Sequence, residues 1–167
     1  YGLVNTLKGS AAAAGHDFDS LYIPFRAVAA DIFEKKKVVL SEGSLAFALR
    51  ASIAVPLFLP PASNFQHKHL FDGGIYDNFP IEPMQNAFKP DYIIGIDVAG
   101  PEPIRREIVE EGNFMRQLMT HAIDQDSWHK MPQNSAYIAP DLEGMSASDF
   151  NLKNINRAYQ RGYEATL

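Results

Sequence analysis

The stretch Leu70-Phe71-Asp72-Gly73-Gly74-Ile75-Tyr76-Asp77-Asn78-Phe79-Pro80 sets one acid against two glycines and a second acid against Asn-x-Pro. An apolar run leads into Asp72, so the acid stands where a strand ends. In α/β folds ligands sit outside the carboxyl ends of parallel strands. A carboxylate held there can take a proton from a nucleophile, which contributes roughly 10²–10⁴-fold in rate. Gly73 and Gly74 allow positive φ or a close approach by other backbone. The competing reading is local, because Asp and Gly are the commonest turn residues and Asp-Gly-Gly makes a tight turn without any chemistry. Asp77 and Asn78 have a local explanation of their own, as caps of a helix that Pro80 opens.

Other reactive side chains are harder to assemble. His67 and His69 alternate along one strand and share a face. A His-x-His pair can begin a zinc site, but no third ligand has a clear claim and Lys68 between them suggests an exposed edge. A serine nucleophile at a strand-to-helix elbow would read Gly-x-Ser-x-Gly, and no such pattern occurs in the 167 residues. Ser10 lies beside Gly9 but before an alanine run. Ser44 reads as a helix cap, and Ser52 as a small packing residue inside a helix. His121, His129 and Trp128 suit surface, interface or core roles. Glu34-Lys35-Lys36-Lys37 reads as a solvated turn.

These residues need a frame. Strand signals fall at 21–31, 35–43, the run ending at Asp72, 91–100 and 135–142. Helix signals fall at 44–55, 80–88, 102–125 and 151–165, with Pro56 stopping the first. Residues 2–14 are weakly helical and broken by Gly9-Ser10. The 91–100 run is continuously apolar, as in a strand covered on both faces. Strand alternating with helix predicts an α/β layer fold with a largely parallel sheet, read as a single domain over residues 1–167. With no Cys, disulfides and Cys-ligated zinc are excluded. The net charge of -5 argues against a protein that tracks nucleic-acid phosphates. No apolar run approaches the roughly 20 residues that span a bilayer. Tyr1 is not a start Met, and the last residues stop within a helical pattern, so the chain reads as cut from something longer.

In order, Ala29-Ala30-Asp31, then Arg50-Ala51-Ser52 with Pro56, then Asp72-Gly73-Gly74 with Asn78-Phe79-Pro80, then the apolar run from Pro90, resemble the patatin-like phospholipase family. The tail from Ile138 is similar to the C-terminal part of bacterial members. The resemblance covers nearly the whole chain from about residue 17; each motif is weak alone, but their order and spacing are specific. It implies a three-layer α/β/α sandwich with a mostly parallel sheet, here incomplete. It also implies a serine lipid acyl hydrolase working through a Ser–Asp dyad without His. Asp72 would be the general base in the motif with Gly73 and Gly74, with no metal and no cofactor, acting on a lipid or membrane-surface substrate. The family's Gly-x-Ser-x-Gly serine and oxyanion loop lie upstream of the matched stretch. Residues 1–167 alone are therefore expected to be inactive, or to form a truncated binding or assembly module. An incomplete sheet exposes edges and an apolar face; dimerisation, swapping or a repacked N-terminal segment would cover them. Cytoplasmic and envelope-associated locations both stay open.

Overall fold

The computed structural model describes residues 9, 12–56, 58–63, 69–98, 128–145 and 151–167. They fall in two units, Tyr1–Lys89 with Leu118–Lys130, and Pro90–Gln117 with Met131–Leu167.

The first unit is organised around strand β1, Ala27–Asp31, which is buried along its whole length. Its alanines keep both faces flat. Strand β2, Lys36–Leu40, pairs antiparallel with β1 from Ala27↔Leu40 to Asp31↔Lys36. The tight connection is held by Asp31, whose buried carboxylate accepts from the amides of Phe33 (3.1 Å) and Glu34 (2.9 Å). Lys35 closes it in the left-handed region at φ 51°.

Helix α1, Leu45–Ser52, starts where Ser44 accepts from the Phe47 amide at 3.2 Å, as its position before an Ala-rich run predicts. Its buried Ala48 and Ala51 meet the alanines of β1, so helix and sheet approach closely. Two clusters result: Phe18, Ala27, Leu45 and Ala48; and Ala29, Ala51, Ala62 and Leu70. Phe18 and Leu70 are fully buried, each contributing roughly 1.5–3 kcal/mol. Strand β4, His69–Asp72, pairs with β1 on the side opposite β2, and the short β3, Ala62–Ser63, pairs with β4. The order is β2-β1-β4-β3. Helix α2, Ile81–Phe88, buries Ile81 and Pro83 and ends at Lys89, φ 46°.

The second unit holds strands β5, Ile93–Ile96, and β6, Ser135–Ile138, paired in parallel from Ile93↔Ser135 to Ile96↔Ile138. Asn151 caps helix α3, Leu152–Glu164, by accepting from the Asn154 amide at 2.9 Å. Arg161 of this helix pairs with Asp141.

The fold is α/β, as strand–helix alternation predicts. The parallel pairing is found in β5–β6, whereas every pair in the four-stranded sheet is antiparallel. For β1 and β2 the cause lies in the connection. Residues 32–35 are too few for the dozen or more that a parallel crossover requires. Strand β1 is shorter than the apolar stretch 21–31, because Tyr22, Ile23 and Pro24 lie outside it and are exposed. The 91–100 run is not covered on both faces over β5: Ile93 and Gly95 are buried, Ile94 and Ile96 exposed. The helix expected over 102–125, with His121, lies outside the described residues.

Candidate active site

Asp72 is the last residue of β4, opposite Ala29 of β1. Its amide donates to the Ala54 carbonyl just beyond α1 (3.0 Å), which ties the strand end to the helix end. Its Oδ1 accepts from the Gly74 amide at 2.8 Å, starting a 3-10 turn over Gly73–Ile75. The turn reading of Asp-Gly-Gly is thus realised. It occupies one carboxylate oxygen and leaves the other without a protein hydrogen bond among the described residues. Burial pushes the Asp72 carboxyl above the usual carboxylate range, and the Gly74 bond pulls partly the other way.

Gly73 has a different role from the one its type first suggests. Neither Gly73 nor Gly74 has a positive φ. A Cβ at Gly73 would lie 2.4 Å from the Val28 carbonyl oxygen and 2.7 Å from its carbon, both backbone atoms of β1. The glycine is required by close approach, not by turn geometry.

Asp72 opens onto a cleft of about 390 Å³. Its walls include Phe25–Val28 from the lead into β1 and its first residues, Ser52 from the end of α1, and Asp72–Gly74, Asp77, Asn78 and Pro80 from the turn after β4. Antiparallel pairing explains this membership. Asp72 faces Ala29 in the middle of β1, and the chain beyond it runs back along Val28 towards the start of that strand, so Arg26 reaches the cleft. Arg26 is fixed by three contacts. It donates to the Phe25 carbonyl (2.8 Å), pairs with Asp19 (2.8 Å) and lies over the Phe88 ring, 5.1 Å from its centroid. The bond to Asp19 raises the Arg26 pKa and holds the exposed Asp19 below its ordinary value.

Asp77 is buried, and its Oδ2 accepts from Lys37 Nζ at 2.8 Å. Lys37 also donates to Glu82 Oε2 at 2.9 Å. The expected capping role for Asp77 and Asn78 is corrected here. Helix α2 has Pro80 at its N-cap with no side-chain capping bond, and Asp77 meets an ammonium. The solvated-turn reading of Lys37 is corrected with it, since Lys37 belongs to β2. Burial works against the Lys37 charge, but the bonds to Asp77 and Glu82 outweigh it and raise its pKa. Glu82 is lowered by the same bond.

Ser52, expected as a packing residue, is half-buried on the cleft wall. Arg26 carried no motif signal; the one available clue was a cation directly before the buried Ala-Val-Ala-Ala run. His69 is exposed, with its Nδ1 2.8 Å from Ser63 Oγ, and His67 lies outside the described residues. Among the described residues no three His, Asp or Glu side chains are grouped to hold a metal, and no helix is long and apolar enough to cross a membrane.

Comparison with known proteins covers the stretch that carries this turn. The family model described as patatin-like phospholipase matches residues 3–84. An uncharacterized NTE family protein of Mycobacterium tuberculosis is 37% identical over 84 residues, which are 50% of this chain and 23% of that protein. Its counterpart in Mycobacterium bovis matches equally. A second uncharacterized NTE family protein of M. tuberculosis is 26% identical over 161 residues, 83% of this chain and 27% of that protein. The chain thus spans about a quarter of the length of these relatives. Residues 3–84, with Asp72-Gly73-Gly74 and Asn78-Phe79-Pro80 among them, are thus similar to the patatin-like phospholipase family.

Proposed function

We propose that this chain supplies the general base of a lipid acyl hydrolase, and that the base is Asp72. The family supports a lipid hydrolase in coarse terms. The observation that carries the finer reading is the state of Asp72: a desolvated carboxyl on the cleft wall, with one oxygen tied to Gly74 and its backbone anchored at Ala54. A carboxylate with a raised pKa is a better proton acceptor, and its efficiency grows as the pKa nears the working pH. Asp72 would take the proton of a serine hydroxyl as that oxygen attacks the ester carbonyl of a phospholipid or glycerolipid. The alcohol would leave with a proton, and water would then release the fatty acid from the acyl-enzyme. No residue of 1–167 stands in a Gly-x-Ser-x-Gly elbow. The serine and its oxyanion donors would come from sequence outside these residues, and residues 1–167 alone would be inactive.

The test is fatty-acid release from phosphatidylcholine vesicles by the full product of the gene that encodes this chain. Asp72→Asn should lower turnover by roughly 10²–10⁴-fold while leaving the fold intact. Unchanged turnover would remove Asp72 from the mechanism. The absent elbow favours a second reading, a non-catalytic binding or assembly module of patatin-like fold. No fatty acid released by that full product, together with no Gly-x-Ser-x-Gly serine in it, would favour this second reading.

A further inference from the structure

We infer that Lys37 is a positioning residue for the Asp72 loop, clamping it to the sheet through two carboxylates. The role of Asp72 is taken from the reading above, but the clamp itself stands on geometry. Lys37 faces Ala30 on β1, and Ala30 faces Phe71 on β4, one residue before Asp72. Directly opposed residues in antiparallel strands carry their side chains on one face. Ala30 is fully buried and small, so the long Lys37 side chain can cross the row at β1 without a clash.

Beyond Asp72 the chain turns tightly, with the amides of Tyr76 and Asp77 both donating to the Gly73 carbonyl (3.0 and 2.9 Å). Asp77 is brought back under the loop, where Lys37 Nζ meets it at 2.8 Å, and Lys37 reaches Glu82 in the first turn of α2 at 2.9 Å. One ammonium therefore fastens both the end of the turn and the start of the next helix to β2. At the other end the loop is fixed by the Gly73–Val28 approach, which leaves no slack. Asp72 stands one residue before the first fixed point, and its bond to the Gly74 amide, which lies between the two, reports whether the loop holds its shape.

The experiment is amide hydrogen exchange on the intact protein, read at Gly74, Asp77 and Ala48, in the wild type and in Lys37→Met, Lys37→Arg and Glu82→Gln. In Lys37→Met, exchange at Gly74 and Asp77 should rise by roughly tenfold or more while Ala48, inside α1, stays protected, because only the local opening becomes easier. Lys37→Arg keeps a cation able to bridge two carboxylates and should restore protection. Glu82→Gln removes one leg and should give a smaller, equally local rise. It also keeps the question answerable if Lys37→Met does not fold. A rise shared equally by Ala48 would mean general stability and would overturn the clamp, as would unchanged exchange at Gly74. These results are independent of turnover. If Asp72→Asn stays active while Lys37→Met loosens Gly74, the clamp survives and the general-base reading fails.

Discussion

Asp72 and Asp77 stand on one strand-to-helix turn and line one cleft, yet they meet different neighbours. Asp72 is held by backbone alone: its carboxylate bonds the Gly74 amide and its own amide bonds Ala54. Asp77 is more deeply buried and meets the Lys37 ammonium. Desolvation without a cation beside it raises the Asp72 pKa. The two acids therefore differ in what holds them.

The end of the turn at Asp72 can be broken most severely at Gly73. Gly73→Ala puts a methyl against the backbone of Val28, which cannot yield without shifting β1. A loss of about 2–3 kcal/mol is expected in urea unfolding, with failure to fold as the extreme outcome. At the other end, the effects of the two ion-pair partners should differ. Lys37→Met leaves the buried Asp77 charge without its ammonium and should cost about 2 kcal/mol. Asp77→Asn leaves Lys37 partly in water with Glu82 still beside it and should cost about 1 kcal/mol. Equal costs would mean that burial does not separate the partners.

The smallest expected effect has the opposite sign. Because the folded state raises the Asp72 pKa, ionising Asp72 opposes folding. The stability tied to its protonated form is complete below the unfolded value near 3.8 and is lost as pH rises through the folded pKa. Asp72→Asn should therefore match the wild type in acid and become slightly more stable as pH rises to neutrality, by a few degrees in Tm at most. A variant that is less stable at neutral pH would show that the carboxylate supports the fold instead.

Much of this turn was legible in the sequence. Asp72 after an apolar run, the glycine pair and the Asn-Phe-Pro continuation locate the bend and the acid that opens onto the cleft. Ser44 as a cap and the apolar face of α1 follow from local rules. The partners were not legible, because they depend on strand direction. Parallel strands would gather carboxyl ends at one edge and bring Asp31 towards Asp72. In the antiparallel register the chain beyond Asp72 runs back towards the start of β1, where Arg26 lines the cleft. The side-chain capping expected of Asp77 gave way to a partner forty residues away in sequence, Lys37, which local pattern cannot reveal. Gly73 was recognisable as significant, but its reason, contact with Val28, is a tertiary fact.

The most direct test sets the two acids against each other in one assay. Fatty-acid release from phosphatidylcholine vesicles would be measured for the full gene product and for Asp72→Asn and Asp77→Asn, each normalised to folded protein. Asp72→Asn should lose roughly 10²–10⁴-fold in turnover with the fold intact, while Asp77→Asn stays within about tenfold of the wild type. Turnover that survives at Asp72→Asn and collapses at Asp77→Asn would contradict the assignment.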